Sequence, residues 1–367
     1  MRLSLHRTML SYGGGLLLHT ASSGSISGLD TLYLRLVDGG IEATGEVRVN
    51  IAYLIGVSAE TLVAEALALL PGLSLGSDPV QAIADTPAAL AQASAPIRML
   101  VDMALYDLAA KRVGLPLASY LSGRSREDTV SYPTNQSLFI SDDATFLRQA
   151  EAYVERGFKD LKVRIGGMDF EQDLGRLRLL RDRFGREIKL AADANGSWRP
   201  DEARFRLEAL APLHLAYVEQ PTAPAPIEVL ARFAEDSPIP IMLDESVNGE
   251  HAVAELAAGG HRLMAHLKLV KLGGVAPTLR AARALEAAGV PLMIGQMNEG
   301  GLATAAALHL AAALEPRFAE LYGADGLDND AAPGLVYRAG RVGAPQGAGL
   351  GLPFHTQRTQ TLWEKTT

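Results

Sequence analysis

The chain has 367 residues, which exceeds one ordinary domain and suffices for a barrel of about 250 residues with a second module. A hydrophobic content of 48% predicts a large buried core, and a net charge of −8 disfavours nucleic acid or an anionic membrane as partner. Cysteine is absent and no apolar stretch reaches the length of a membrane span, so thiol chemistry and a membrane protein are excluded and we expect a cytoplasmic enzyme or binding protein.

The first part of the chain has strands followed by helices. Residues 1–55 alternate apolar and polar side chains, and Asp38-Gly39-Gly40 supplies a hairpin turn, which together predict an antiparallel meander. From Ser58 onward the pattern becomes helical and rich in alanine, above all in residues 95–114. This order predicts an α+β capping domain over residues 1–125.

After Arg124 apolar strands alternate with amphipathic helices. The eight predicted strands lie within segments 130–139, 160–167, 191–198, 215–221, 239–246, 266–274, 291–301 and 319–330. This rhythm predicts a closed parallel barrel of the (β/α)8 type over residues 126–335. Residues 337–353 are rich in glycine and predict a loop, and we expect the C-terminal segment 336–367 to complete the capping domain.

Three acids close successive barrel strands at nearly one spacing. Asp193, Glu219 and Asp244 are separated by 26 residues (193 to 219) and 25 residues (219 to 244). The carboxyl ends of neighbouring parallel strands meet at one end of a barrel, so these carboxylates should lie together. Three oxygen ligands with room for water and substrate suit Mg²⁺. The alternative is three unrelated acids that cap the following helices.

Basic side chains are predicted to face the same end of the barrel. Side chains alternate along a strand, so Lys162 and Arg164 share one face, and Lys268 points away from its neighbours Leu267 and Leu269. Alternatively, the side chains of Lys162 and Arg164 lie in solvent at the rim of the barrel. A metal ion at the acids could stabilise a substrate carboxylate, and a lysine amine could accept its α-proton. This combination of residues predicts the enolisation of a carboxylic acid.

The ordered motifs LKVRIGG, DANGSW, VEQP, LDES, LKLVKLGG and GQMNEGG resemble the enolase superfamily, in its muconate-lactonising and dipeptide-epimerase branch. The resemblance covers nearly all of the chain and implies a capping domain ahead of a modified TIM barrel. It implies that the three acids bind Mg²⁺ and that Lys268 is an acid/base residue. It also implies the roles of four further residues: Asn195, Gln220 and Glu245 support the metal ligands, and Glu299 lies beside the substrate carboxylate.

One departure concerns the second barrel strand, where this branch usually carries Lys-x-Lys and the second lysine is a base. Here the motif is Lys162-Val163-Arg164. Arginine stays protonated and is a poor base, which puts racemisation through two opposed amines in doubt. Arg164 could instead hold a substrate anion, with Lys162 or Lys268 moving the proton. Cycloisomerisation and β-elimination of water need only one competent base.

Specificity residues are predicted near the barrel mouth. Asp328 and Asp330 resemble an Asp-x-Asp motif with which dipeptide epimerases bind the substrate ammonium group. Alternatively, the two residues belong to a solvated acidic loop after the strand. The loops 18–28 and 47–56 are expected to close over the mouth. Arg48, within the second loop, either binds a carboxylate or faces solvent.

These patterns together predict an Mg²⁺-dependent isomerase that removes the α-proton of a small carboxylate through a metal-stabilised enolate. The net reaction is epimerisation of an amino-acid or dipeptide-like acid, whose substrate can carry a cationic nitrogen, or cycloisomerisation. The alternatives are a hydroxy-acid dehydratase and an acid-binding protein without turnover. We expect a homo-oligomer that has neither nucleic acid nor a membrane as partner.

Overall fold

The computed structural model describes residues 1–13, 18–76, 78–124, 129–260 and 262–366. The predicted boundary between the capping domain and the barrel, at residues 125 and 126, lies outside the described residues. Among the helices that are described, none has the length and hydropathy that a bilayer-spanning segment needs.

An antiparallel sheet opens the chain, as the alternating pattern predicts. The strands of this part are β1 (Arg2–Leu10), β2 (Leu18–Thr20), β3 (Gly24–Ile26), β4 (Leu29–Asp38) and β5 (Ile41–Arg48). β4 pairs with both β1 and β5, and β2 forms a separate hairpin with β3. Gly39 and Gly40 connect β4 to β5 with φ angles of 57° and 83°, as a tight hairpin turn requires. The predicted meander is confirmed.

A layer of helices covers this sheet. The helices are α1 (Ala52–Ile55), α2 (Ala59–Leu69), α3 (Pro79–Ala89), α4 (Ala95–Arg112) and α5 (Leu117–Ser122). α4 crosses β5 at Gly45, where a Cβ atom would lie 2.0 Å from the carbonyl oxygen of Leu100. Only glycine permits this approach, so Gly45 sets how closely the helical layer packs on the sheet.

Eight parallel strands form the barrel, and the short strand β6 (Ser131–Pro133) precedes them. The barrel strands are β7 (Gln136–Leu138), β8 (Asp160–Arg164), β9 (Lys189–Asp193), β10 (Val218–Glu219), β11 (Ile241–Leu243), β12 (Leu263–Lys268), β13 (Leu292–Gly295) and β14 (Phe318–Glu320). They are adjacent in chain order. The N–H of Asn135 donates to the carbonyl oxygen of Ala319 at 3.2 Å and joins the last strand to the first. The predicted barrel is confirmed.

Helices surround the barrel on its outer face. They are α6 (Asp143–Glu155), α7 (Phe170–Phe184), α8 (Pro200–Leu210), α9 (Ile227–Glu235), α10 (Glu250–Ala258), α11 (Leu269–Leu272), α12 (Val275–Ala287) and α13 (Gly301–Leu314). In the described residues 321–366 no α-helix follows β14, so the eighth βα unit departs from the standard pattern.

The C-terminal segment contains strands that the glycine-rich pattern did not predict. These are β15 (Val336–Arg338), β16 (Arg341–Gly343) and β17 (Gln360–Thr366). Ala339 and Gly340, with φ angles of 50° and 74°, turn the chain between β15 and β16, and β16 pairs with β6. The loop prediction is therefore wrong for these residues. β17 pairs antiparallel with β1, which places the end of the chain on the first sheet.

An apolar layer fills the barrel below the ends of its strands. It contains six inward-facing side chains: Ala191, Tyr217, Met242, Met264, Met293 and Phe318. Side chains alternate along each strand, so the residues two positions further along also face inward. The layer is thus the floor for the residues at the carboxyl ends of the strands.

Candidate active site

Two positions above the apolar layer, five of the six inward-facing residues are charged or titratable, and the sixth is Gly295. The five are Asp193, Glu219, Asp244, His266 and Glu320, and all are buried. Asp193 and Glu219 are direct neighbours across β9 and β10. The barrel therefore gathers the three acids that the spacing predicted, and adds a histidine and a fourth carboxylate.

Two cations from β8 meet these carboxylates. The Lys162 Nζ atom lies 3.1 Å from Glu219 Oε2 and 3.3 Å from Asp193 Oδ2, and it also pairs with Glu320. Arg164 pairs with Asp193 and lies beside it across the strand pair. Burial would raise the pKa of Glu320, but the two cations hold it low, at about 2.

Two further lysines hold Asp244. Lys268 Nζ lies 2.6 Å from Asp244 Oδ2, and Lys271 Nζ lies 2.6 Å from Asp244 Oδ1. Lys271 also donates to the carbonyl oxygen of His266 at 3.0 Å, so it serves the strand end as well as the acid. Burial would raise the pKa of Asp244, but the two ammonium groups hold it well below its ordinary value.

His266 lies among the acids and was not predicted as a site residue. Its Nδ1 atom is 3.0 Å from Glu219 Oε1. Burial and the nearby ammonium group of Lys268 hold its pKa well below the ordinary value, so the imidazole is neutral. Among the described residues, Glu219, Asp244 and His266 form a group whose possible ligand atoms lie within 4.8 Å of one another.

The donor set fits a divalent cation of the Mg²⁺ type. Burial and the Glu219 carboxylate raise the pKa of Asp193, which shows that the acids repel one another in the interior. Buried oxygens of Asn195 and Glu245 have no hydrogen-bond partner among the described residues, and a cation or its water could satisfy them. Asp193, Glu219 and Asp244 offer the hard oxygen donors that Mg²⁺ prefers, and His266 orients Glu219 through its hydrogen bond.

The predicted supporting residues follow the acids along the chain. The backbone N–H of Asn195 donates to Asp193 Oδ1 at 2.9 Å, and its side chain donates to Glu245 Oε1 at 3.3 Å. Gln220 Oε1 accepts the backbone N–H of Asp244 at 3.1 Å. Asn195 and Gln220 have positive φ angles of 45° and 35°, a costly backbone conformation, and their side chains contact Glu245 and the backbone of Asp244.

A small cavity lies above the acids. Its barrel wall includes Phe139, Arg164, Asn195, Asp244, Glu245, Lys268, Gln296, Met297, Asn298 and Tyr322. The loops 18–28 and 47–56 cover it with Leu18, Thr20, Ser22, Ser23, Ile26, Arg48, Tyr53 and Leu54. The cavity has a volume of about 30 Å³, room for about two water molecules. The two loops therefore lie closed over the site and must move to admit a substrate.

Arg48 lines this cavity, and Glu299 is buried close enough to feel its charge. Arg48 donates to Asn50 Oδ1 at 2.7 Å and to the Asn298 carbonyl at 3.3 Å. Glu299 is buried, accepts the backbone N–H of Met297 at 3.2 Å, and is absent from the described cavity wall. Burial raises the pKa of Glu299 to about 7, although the Arg48 charge opposes the rise.

Lys162 is enclosed below the cavity. Its side chain has no exposure to solvent, and it is not among the described residues of the cavity wall. The acids around it raise its pKa well above the ordinary value, against the effect of burial. Lys162 therefore holds charge under the site, and the structure gives it no path to a substrate proton.

The structure does not bring Asp328 and Asp330 to the cavity. Asp330 accepts the backbone N–H of Gly301 at 2.8 Å at the start of α13, and that of Ala332 at 2.9 Å. Asp328 is exposed, and its backbone N–H donates to the carbonyl oxygen of Ser11 at 3.0 Å. The expectation of an ammonium site at these acids is corrected, because one caps a helix and the other lies on a surface loop.

The structure adds Ser137, Glu320 and Tyr322 to the site. Arg164 Nε donates to Ser137 Oγ at 3.0 Å, and Arg164 Nη2 donates to Tyr322 Oη at 3.2 Å. Glu320 and Tyr322 lie two and four positions after Phe318, which faces the barrel interior. The alternation of inward-facing residues was the signal that could have identified both from the sequence.

Comparison with known proteins identifies the family. A family model described as "Enolase C-terminal domain-like" matches residues 145–358. The chain belongs to this family, within the branch of the enolase superfamily that contains mandelate racemase and muconate lactonising enzyme.

Three similar proteins show how far the likeness extends. L-Ala-D/L-Glu epimerase of Bacillus subtilis (strain 168) is 35% identical over 214 residues. The aligned part is 58% of this chain and 57% of that enzyme, so the match spans little more than half of its length. N-succinylamino acid racemase of Thermus thermophilus is 32% identical over 358 residues, 91% of this chain and 90% of that enzyme. The structure of dipeptide epimerase from Methylococcus capsulatus, complexed with Mg and the dipeptide L-Arg-D-Lys, matches with a TM-score of 0.84 and 29% identity, over 96% of this chain and 99% of that one.

Proposed function

We propose that this chain is an Mg²⁺-dependent isomerase that removes the α-proton of a small carboxylate substrate. The observation that carries the proposal is the group of buried acids from three successive strands, with the Lys268 amine 2.6 Å from one of them and on the cavity wall. Family membership supports the same chemistry, because the similar proteins described above are epimerases and a racemase.

Asp193, Glu219 and Asp244 would hold the metal ion. The Mg in the Methylococcus capsulatus epimerase structure supports this proposal. When bound, the ion would supply Lewis-acid stabilisation of negative charge on the substrate carboxylate. The residues of the chain supply the remaining chemistry.

Lys268 is the proposed acid/base residue. Burial opposes its charge, but the carboxylates of Asp244, Glu320 and Glu219 raise its pKa above the ordinary value. A cation that takes up the charge of Asp244 removes the largest part of this stabilisation, which favours the neutral amine. The neutral amine can then accept the α-proton.

The cavity favours a substrate without a free ammonium group. Its only described acids are Asp244 and Glu245, which lie at the proposed metal site, and Asp328 and Asp330 are elsewhere. An N-acylated amino acid carries no positive charge at its nitrogen and fits this wall better than a dipeptide with a free amine. The nearly complete alignment with N-succinylamino acid racemase supports this substrate class, so epimerisation is the net reaction we favour.

Arg164 supports a second candidate, in which only one base acts. Its guanidinium group lies where a second amine would be needed, and it stays protonated. Cycloisomerisation, or β-elimination from a hydroxy acid, then requires only Lys268 with Arg164 holding the developing anion. A ring-closed or dehydrated product would identify these reactions.

A cytoplasmic location and a homo-oligomeric state are also proposals. The absence of cysteine is compatible with a reducing compartment. Light scattering during size-exclusion chromatography tests the assembly.

Exchange of the α-proton in D₂O tests the proposed function. We expect the wild type, with Mg²⁺, to exchange the α-proton of at least one acid among N-succinyl and N-acetyl amino acids, dipeptides and sugar acids. Lys268→Ala should lower this rate by about 10²–10⁴-fold, whereas the exposed-lysine control Lys159→Ala should not change it. Exchange at the wild-type rate in Lys268→Ala would remove Lys268 as the base. Binding of an acid without any exchange would support a protein without turnover.

A further inference from the structure

Inversion at the α-carbon needs a proton donor on the face opposite the base, and the expected second lysine is absent. Arg164 keeps its proton, and Lys162 is enclosed below the cavity. The hydroxyl groups on the described cavity wall belong to Thr20, Ser22, Ser23, Tyr53 and Tyr322. Aliphatic hydroxyls ionise too weakly for this role, and Tyr53 is an exposed residue of the covering loop 47–56.

The Tyr322 hydroxyl reaches the side of the barrel opposite Lys268, although its backbone follows β14, which is two strands from β12. Lys268 ends β12, the sixth barrel strand, and Arg164 ends β8, the second, so three strands lie between them in either direction. The Tyr322 hydroxyl is 3.2 Å from Arg164 Nη2, and its ring packs edge-on against Phe139 with centroids 6.3 Å apart. The phenol therefore belongs to the wall formed by β14, β7 and β8, and it borders the cavity.

The surroundings suit a phenol that gives up a proton briefly. Burial and the Glu320 carboxylate raise the pKa of Tyr322, so the phenol is protonated at rest. The Arg164 guanidinium and a hydrogen bond with Ser137 oppose this rise and would stabilise the phenolate once it forms. Arg164 thus supports the donor, although it cannot act as a base itself.

We propose that Tyr322 is the second proton-transfer residue of the site and donates a proton to the substrate α-carbon from the face opposite Lys268. This inference rests on the proposed function and assigns it to epimerisation. The substrate C–H bond breaks, its proton passes to the Lys268 amine, and the electron pair stays on the substrate. The Tyr322 O–H bond then breaks, its proton forms the new C–H bond on the other face, and the phenolate remains beside Arg164. Loss of the Lys268 proton to solvent and uptake of one by Tyr322 restore the enzyme.

Tyr322→Phe separates inversion from exchange. With Mg²⁺ and single enantiomers of N-succinyl and N-acetyl amino acids in D₂O, we expect the wild type to exchange and invert the α-carbon. Tyr322→Phe should lose inversion by about 10²–10⁴-fold, yet keep exchange with retention for the one enantiomer whose proton faces Lys268. Tyr217→Phe removes a buried phenol of the barrel floor, whose hydroxyl contacts only Met293 among the described residues, and should leave both rates unchanged.

The following outcomes would contradict the role proposed for Tyr322. Inversion by Tyr322→Phe at the wild-type rate, or loss of exchange together with inversion at an unchanged melting temperature, contradicts it. If the wild type exchanges the α-proton only with retention of configuration, the Tyr322 proposal is contradicted and the proposed function stands. If the wild type shows no Mg²⁺-dependent exchange, both proposals are contradicted. If Tyr322→Phe does not fold, Ser137→Ala is the second variant. It should slow inversion more than exchange, and equal effects on the two rates would contradict the proposal.

Discussion

The four acids at the ends of the barrel strands, Asp193, Glu219, Asp244 and Glu320, each pair with at least one cation. Asp244 is held by Lys268 and Lys271, while Lys162 bridges Asp193, Glu219 and Glu320. An isolated ion in a protein interior is costly, so these pairs are needed for the acids to stay charged.

Replacement of Lys271 tests this balance. Lys271→Ala removes one of the two ammonium groups at Asp244 and one donor to each of the carbonyl oxygens of Asp244 and His266. We expect the free energy of unfolding to fall by about 3–5 kcal/mol, measured by denaturant titration. Lys189→Ala, which breaks a half-exposed ion pair with Asp160, should cost about 0–1 kcal/mol. An equal fall in the free energy of unfolding of the two variants would show that the buried ion pair stabilises the fold no more than the half-exposed one.

Single residues also show what the sequence could predict. The acids were found because each one ends an apolar strand, and strand ends converge in a barrel. His266 and Glu320 obey the same alternation, two positions after Met264 and Phe318, so the period of the strands predicts them as inward-facing residues too. Asp330 was misplaced because its environment depends on helix α13, which packs against it only in the folded chain.

At the scale of elements, barrel helices are capped by acids from other parts of the fold. Glu46 on β5 accepts the backbone N–H groups of Gly300, Leu302 and Ala303 at the start of α13. Asp102 on α4 accepts those of Val275 and Ala276 at the start of α12, at 2.6 and 3.3 Å. A carboxylate stabilises a helix N-terminus, so these contacts join the capping domain to the barrel. The sequence predicts the helices, but it contains no local signal for caps from distant residues.

The Asp102 contact predicts a dependence of stability on pH. Burial raises the pKa of Asp102 to about 7, from 3.8 as the ordinary value. Between these values the folded chain binds more protons than the unfolded chain, so this group makes stability fall as pH rises from about 4 to about 7. Asp102→Asn keeps an oxygen acceptor but cannot ionise. We therefore expect its free energy of unfolding, relative to the wild type, to rise by about 4 kcal/mol across that window. Parallel pH profiles of the two proteins, from urea titrations, would contradict the assignment.

At the scale of the whole molecule, the capping domain and the barrel are tied together at several places. Besides the two helix caps, the backbone N–H of Ala118 on α5 donates to His309 on α13 at 3.0 Å. The C-terminal segment returns from the barrel to the capping domain, where the backbone N–H of Leu350 donates to Asp107 on α4 at 2.8 Å and β17 closes the edge of the first sheet. Loss of either part would leave buried polar groups of the other without partners.

We therefore expect the two parts to unfold together. Scanning calorimetry should show one transition, whose calorimetric and van't Hoff enthalpies agree. Two separate transitions would show that the capping domain and the barrel are stable independently.

Titration calorimetry with Mg²⁺ alone tests the central claim most directly, since the claim is that acids from three successive barrel strands form one metal site. The account predicts one Mg²⁺ ion per chain for the wild type, at least about tenfold weaker binding in Glu219→Gln and Asp244→Asn, and unchanged affinity in the surface control Asp328→Asn. A wild type that binds no Mg²⁺, or site variants that bind it as tightly as the wild type, would contradict the account.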